Sequence, residues 1–301
     1  MSAQPIAVIG ASGQVARALQ RAGAVRNLNL VVIGRPVIEI AWRSSIVRVL
    51  DGIGPSVVIN AAAYTAVDKA EENEAEAFRI NRDGPHYLAK WCAAHSVPLI
   101  HISSDYVFDG EKSAPYVESD RCCPLNAYGR SKAAGEDAIR DAHAQHVIVR
   151  TAWVYSADGQ NFLKTMLRLG ADREVISVVA DQRGAPTSAD DIAAALLDIA
   201  DAARRPPANV PWGTYHLVAG GETTWHGFAD QIFTVLKATG RPVPRVAPIL
   251  SAAYPAPAAR PRNSILDTSE IRRAFGIALP PWQTGVAACV HALTLNAARQ
   301  K

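Results

Sequence analysis

The feature that most constrains this chain is a recurrence of short apolar runs separated by segments of helical character. Ile6-Ala7-Val8-Ile9, Leu30-Val31-Val32-Ile33, Val57-Val58-Ile59-Asn60, Leu99-Ile100-His101-Ile102 and Val147-Ile148-Val149 all lack the alternation of a half-exposed strand. A strand that is apolar on both faces must be covered on both faces. Helical stretches from Gln14, over 69–78 and over 83–95 supply the cover. The pattern predicts a doubly wound α/β sheet of parallel strands with right-handed crossovers.

After Arg150 the rhythm loosens. Residues 162–169 read as a helix, 175–179 as a strand, 189–203 as a helix and 215–218 as a strand; proline is dense over 241–261, before helical stretches near Ser269 and Val286. We expect a sheet domain over 1–150 and a smaller, mainly substrate-binding lobe over 151–301, with segments at about 175–215 returning to the sheet. A proline-rich tract wraps a core more readily than it forms one, and beside a cleft it would serve as a lid or substrate-binding loop.

A chain of 301 residues, 49% hydrophobic, can bury a large core. Its net charge of +3 is carried by scattered Lys and Arg, which excludes the electrostatic footprint of a nucleic-acid or anionic-membrane binder and leaves a small molecule as the expected partner. Cys92, Cys122, Cys123 and Cys289 form no metal-binding cluster, and the adjacent pair would bridge poorly, so reduced thiols in a cytoplasmic chain are expected. Met1-Ser2-Ala3-Gln4-Pro5 lacks the basic stretch and apolar core of a leader, and no run approaches the ~20 apolar residues of a membrane span.

The first strand runs into Gly10-Ala11-Ser12-Gly13-Gln14-Val15-Ala16, a GxxGxxA turn between strand and helix. Glycine there lets backbone approach a pyrophosphate, while the helix start offers free N–H groups and a positive dipole end; the domain reads as a Rossmann dinucleotide-binding domain. The second strand ends at Gly34-Arg35-Pro36, where an NAD-selective site carries an acid for the ribose hydroxyls. Arg35 would instead pair with a 2′-phosphate, favouring NADPH over NADH. The alternatives are an ordinary solvated arginine, or a ribose held by nearby Glu39.

Tyr128-Gly129-Arg130-Ser131-Lys132 places a phenol and an ammonium on one helix face. The positive charge is expected to draw the tyrosine pKa down from ~10 and make it a usable proton donor or acceptor, while the lysine can also hold ribose hydroxyls. Ser104 ends a central strand, where open α/β sheets place their ligands, and its hydroxyl can bond a substrate carbonyl.

Together with Val58–Glu71 sequence neighbours such as Asn60-Ala61-Ala62-Ala63-Tyr64-Thr65, with Ser104-Asp105-Tyr106-Val107-Phe108-Asp109-Gly110, Arg150-Thr151-Ala152-Trp153-Val154-Tyr155, Gly184-Ala185-Pro186-Thr187 and Arg260-Pro261-Arg262-Asn263-Ser264, these motifs resemble the extended short-chain dehydrogenase/reductases over essentially the whole chain. Within them they resemble the RmlD-like dTDP-4-dehydrorhamnose reductases. The resemblance implies reduction by NAD(P)H of the 4-keto group of dTDP-4-dehydro-β-L-rhamnose, the last step of dTDP-L-rhamnose synthesis. It implies Tyr128 as proton donor with Lys132 and Ser104 in support. Gly13, Gln14 and Val15 would hold the pyrophosphate side of the cofactor, and Ala61, Ala63, Tyr64 and Thr65 its middle. Ser104, Asp105 and Trp153 would face the sugar, with Trp153 as an ordinary core aromatic the alternative.

The chain departs from the family pattern in three ways. Ser104 stands where threonine is usual, and Arg35 where some relatives have an acid. Some members dimerise through magnesium held by glutamates; Val15-Ala16-Arg17-Ala18-Leu19 offers no acid, so no structural metal is expected and a homodimer would form without one. A sugar-nucleotide dehydratase or epimerase of the same fold is the rival enzyme, but a dehydratase would carry glutamate where Tyr106 stands. A second rival is a non-catalytic relative such as the regulatory subunit of methionine adenosyltransferase, in which the Tyr128–Lys132 pair would not need to be kept.

Overall fold

A computed structural model describes residues 4–206 and 209–299; Met1, Ser2 and Ala3, the start of the segment read for a leader, lie outside the described residues. The first half is built from β1 (Ile6–Ile9), α1 (Gln14–Val25), β2 (Leu30–Ile33), α2 (Arg43–Ile53), β3 (Val57–Asn60), α3 (Val67–Glu72), α4 (Glu74–Phe78), α5 (Gly84–His95), β4 (Leu99–Ser104), α6 (Ala127–Ala142) and β5 (His146–Thr151). The charged stretch at 69–78 is two short helices rather than one, broken at Asn73, and a π-helical turn at Arg79–Asp83 leads into α5.

The second half holds β6 (Val154–Tyr155), α7 (Phe162–Asp172), β7 (Val175–Val179), β8 (Arg183–Gly184), β9 (Thr187–Ser188), α8 (Ala189–Ala203) and β10 (Gly213–His216). It closes with β11 (Thr223–Thr224), α9 (Trp225–Ala238), β12 (Arg245–Ile249), α10 (Ser269–Phe275) and α11 (Trp282–Arg299).

Six strands form one parallel sheet in the order β10-β5-β4-β3-β1-β2, so the winding reverses beside β1. Both faces are covered, which is why β1, β2 and β3 and the middle of β5 are runs of apolar residues, whereas β10 at the edge reads Gly-Thr-Tyr-His. Ala16 and Leu19 of α1 and Leu196 and Ile199 of α8 pack on Val8, Ile59, Ile100 and Val149. Leu50 of α2, Leu88 of α5 and Ile139 of α6 pack on Ile9, Val58, Leu99 and Ile148 of the other face.

The return to the sheet is made by α8 and β10 alone. β7 pairs instead with β12 in a separate parallel ribbon, where its alternating burial suits a strand covered on one face. That ribbon packs with Leu163 and Met166 of α7, Phe228 and Ile232 of α9 and Val286 and Val290 of α11 around a separate core. β12 lies inside the proline-rich tract, with its proline on an edge strand where a missing N–H is tolerated.

Candidate active site

A cavity of about 510 Å³ opens at the carboxyl ends of β1, β3, β4 and β5, beside the reversal of the winding. One end is the β1–α1 turn, where Ser12, Gly13, Gln14 and Val15 line it. Gly10 has φ +111°, and a Cβ there would sit 2.9 Å from the Ala62 backbone nitrogen, so only glycine lets the turn close against β3. α1 begins at Gly13 with no side-chain cap and no acid in its first turn. Its first N–H groups therefore face the cavity without an intrahelical partner, a cradle that fits a pyrophosphate. The Gln14 side chain points to the second half: its Oε1 accepts from Asn161 Nδ2 at 2.8 Å and Ser156 Oγ at 3.1 Å, tying the loop before α7 to the turn.

The middle of the cavity is lined by Ala61, Ala63 and Thr65, small side chains after β3 that leave room for a flat group. Tyr64 does not line it; its ring joins a cluster with Ala70, Ala77 and Tyr128, and Asn81 binds both its N–H and its carbonyl. Ala11, Gly34 and Arg35 border a second hollow, floored by Val31, Ile33 and Val49, whose apolar walls fit a purine. Arg35 is exposed at its rim, whereas Glu39 folds back on its own loop, with Oε1 accepting from Ala41 N at 3.2 Å.

At the far end α6 and the end of β4 converge. Asn126 caps α6, accepting from Gly129 N at 2.8 Å and donating to the Ala259 carbonyl at 2.7 Å, so the proline-rich tract clasps the start of the helix. Gly129 allows this approach, because any Cβ would overlap the Tyr106 carbonyl. The tract also carries Arg260, paired with Asp68 at 2.8 Å, and residues 241–261 buttress the site from outside the cavity lining. Farther along α6, buried Glu136 takes hydrogen bonds from Arg150 Nη2 at 2.7 Å and Ser103 Oγ at 2.5 Å, locking the helix to β4 and β5. Burial opposes its charge, but Arg150 more than offsets this and holds the carboxyl below the usual range.

Tyr128, Lys132 and Ser104 all line this end. Burial pushes the Tyr128 phenol up to about 12, opposed by a hydrogen bond with Ser104 and reinforced by the nearby Asp105 charge. This reverses the expectation of a depressed tyrosine: the Lys132 ammonium is spent elsewhere, donating to the Ile102 carbonyl at 2.7 Å and lying 3.2 Å from His101 Nε2. Burial draws Lys132 down to about 8, against the opposing charge of Glu136. The phenol is thus held protonated across the neutral range.

Asp105 and Trp153 also line the cavity. Burial raises the Asp105 carboxyl to about 6, against hydrogen bonds from Ser264 and Ser104. Among the described residues, Asp105 Oδ2 and Thr151 Oγ1 are the buried side-chain polar atoms without a partner, and both residues belong to this cavity. A carboxylate oxygen and a hydroxyl left unpaired in a pocket can pair with a polar ligand or with water. Trp153, at φ +48°, lies flat on Trp225, which lines the wall with it.

Sequence reasoning missed Trp225, Thr151, Gln160 and Tyr106 in this lining. Trp225 begins a helix that the sequence reading did not mark, and only its Thr224-x-x-Gly cap hinted at one: Thr224 Oγ1 accepts from Gly227 N at 3.1 Å.

A family profile described as the RmlD substrate binding domain matches residues 4–295. A dTDP-4-dehydrorhamnose reductase of Sinorhizobium fredii is 46% identical over 292 residues, covering 97% of this chain and 98% of the relative. That of Escherichia coli K12 is 40% identical, covering 93% and 95%. Among solved structures, a Bacillus anthracis dTDP-4-dehydrorhamnose reductase in complex with NADP superposes with a TM-score of 0.89 at 33% identity, over 96% of this chain and 99% of that one. A Brucella ovis UDP-glucose 4-epimerase in complex with NAD shares the fold, with a TM-score of 0.80 at 19% identity. A parallel sheet with the cavity at its winding reversal, and near full-length identity on top of it, place the chain in the dTDP-4-dehydrorhamnose reductase family.

Proposed function

We propose that the protein reduces the 4-keto group of dTDP-4-dehydro-β-L-rhamnose to give dTDP-β-L-rhamnose, with NADPH as the preferred reductant, NADH as the alternative, and the cytoplasm as the place of reaction. The observation that carries the reading is that one cavity joins an uncapped helix start at Gly13–Val15 to the Ser104, Tyr128 and Lys132 side chains. Gly10, Gly13, Gln14 and Val15 shape the pyrophosphate cradle; Ala61, Ala63 and Thr65 border the nicotinamide side, and Arg35 stands at the rim for a 2′-phosphate. When bound, NADPH supplies the hydride.

The chain's own residues hold and move the proton. Ser104 Oγ orients the substrate carbonyl, and Tyr128 delivers the phenol proton to its oxygen as charge develops there. Lys132 lies one turn further along the helix and lines the same end of the cavity, where its amine can hold the ribose hydroxyls of the cofactor. Asp105 Oδ2 accepts from a sugar hydroxyl, and the Trp153–Trp225 wall packs against the apolar face of the sugar nucleotide. We assign 1–150 to cofactor and most of 151–301 to substrate.

Purified full-length protein should consume NADPH in the presence of dTDP-4-dehydrorhamnose, with slower use of NADH. Absence of oxidation of both cofactors would overturn the assignment.

A further inference from the structure

His101 lies wholly buried on β4, in contact with Lys132 but outside the cavity lining. Its partners fix which ring nitrogen carries the proton. Ala62 N donates to Asn60 Oδ1 at 3.1 Å, which orients the buried Asn60 amide so that Nδ2 faces His101 Nδ1 at 2.9 Å. A ring nitrogen that accepts carries no hydrogen, so in the neutral imidazole the proton sits on Nε2. That N–H points at Lys132 Nζ, 3.2 Å away. An ammonium has three donors and no lone pair, so the two groups would meet donor to donor; an uncharged amine accepts the bond.

We propose that Asn60 and His101 form a positioning pair that fixes the imidazole as the Nε2–H tautomer and thereby weakens the hold of Lys132 on its proton. The pair makes Lys132 an efficient source for resetting the proton donor after turnover. In that step the Tyr128 phenolate gains an O–H bond and a Lys132 N–H bond breaks. The electron pair left on nitrogen accepts from His101 Nε2–H, and solvent entering the emptied site restores the ammonium. His101 itself stays neutral: burial, then the Lys132 charge, holds its pKa well below the usual value.

The groups around the amine are few. Glu136 comes from its own helix and His101 from β4; Tyr128, one turn back on that helix, and Asp105 of the turn after β4 line the same cavity as Lys132. Arg150 on β5 is turned to Glu136, His146 on β5 lies beyond His101, and Glu71 of α3 and Glu74 of α4 bind Ala127 N and Arg130 at the start of α6. Glu136 favours the ammonium; the imidazole N–H opposes it.

The role of Tyr128 in turnover belongs to the functional reading above, but the state of Lys132 can be measured without it. Full-length protein, free of cofactor and labelled with 15N in histidine and 13C at lysine Cε, is titrated by NMR beside His101→Leu. The resonances lost in the variant identify His101. The expected result is a pyridine-type Nδ1 and a pyrrole-type Nε2, and a Lys132 midpoint that rises in His101→Leu by roughly one unit, a tenfold gain in proton affinity. The alkaline limb of kcat should rise with it. A proton on Nδ1, or a midpoint that stays or falls, overturns the proposal; should His101→Leu not fold, assignment by Lys132 contacts in the unaltered protein leaves the tautomer to decide alone. A chain that reduced no nucleotide sugar could still pass this test, so the two readings fail separately.

Discussion

Trp153 stacks on Trp225 with 3.7 Å between ring centroids and 10° between planes, joining a residue just after β5 to the first residue of α9. The contact holds Trp153 at a φ of +48°, a region that bulky side chains rarely adopt. Gly184 is part of the arrangement, since a Cβ there would lie 2.5 Å from the Trp153 ring. One wall of the cavity is therefore kept in a strained backbone state by packing from the second lobe.

Trp225→Ala should free Trp153 and remove that wall. An aromatic pair contributes ~1 kcal/mol beyond the area it buries, so KM for the nucleotide sugar should rise about fivefold or more while kcat changes little. Steady-state kinetics at saturating NADPH would check this; a fall confined to kcat would place the stack in the chemistry instead.

Tyr128→Phe removes the phenol while the ring keeps its edge-on contact with Tyr106, whose centroid lies 5.5 Å away. kcat should drop by about 10²–10⁴, with NADPH affinity by fluorescence titration unchanged. Near-normal turnover would remove Tyr128 from the proton step.

Asp105 links function to stability. Its carboxyl is raised to about 6 by burial, so between the ordinary carboxylate pKa of ~3.9 and that value the folded chain holds a proton that the unfolded chain has lost. Stability therefore falls as pH rises through this window, and the penalty is complete above it. Asp105→Asn should raise Tm by roughly 4 °C near pH 8 and leave it unchanged near pH 4. It should also raise KM for the sugar nucleotide about tenfold, as an acceptor becomes a donor. Calorimetry at the two pH values separates these effects.

Arg35→Asp places a carboxylate at the rim of the apolar hollow beside Gly34. The ratio of kcat/KM for NADPH over NADH should fall at least tenfold through repulsion of the 2′-phosphate. An unchanged ratio would move cofactor selection to the backbone or to Glu39.

The sheet was legible because burial on both faces leaves an apolar signature, which β1, β3, β4 and β5 carry, and the partly covered β2 is apolar as well. The ribbon of β7 and β12 was only half legible, since Val175–Val179 alternates in burial while its partner strand contains a proline. Helices α2 and α9 went unmarked: α2 starts at Arg43 without a side-chain cap, and α9 sits in a region of weaker rhythm. At the site, Tyr128, Lys132 and Ser104 were readable because one helix turn and one strand end bring them together. The pairing of Lys132 with His101 was not, because it depends on the depth to which α6 sinks toward β4, which Gly129 and the Glu136–Arg150 pair set. The direction of the Tyr128 shift was misjudged for the same reason: spacing gives proximity, whereas burial gives sign.

The place of β10 has a consequence for how the protein is made. It is the edge neighbour of β5, yet it follows the excursion through α7 and β7. A nascent chain leaving the ribosome therefore carries β5 with one side unpaired until residues 213–216 emerge, and a product stopped before them would present an open parallel edge. The first 150 residues are in that sense an unfinished sheet, completed late in synthesis by a strand from the other half of the chain.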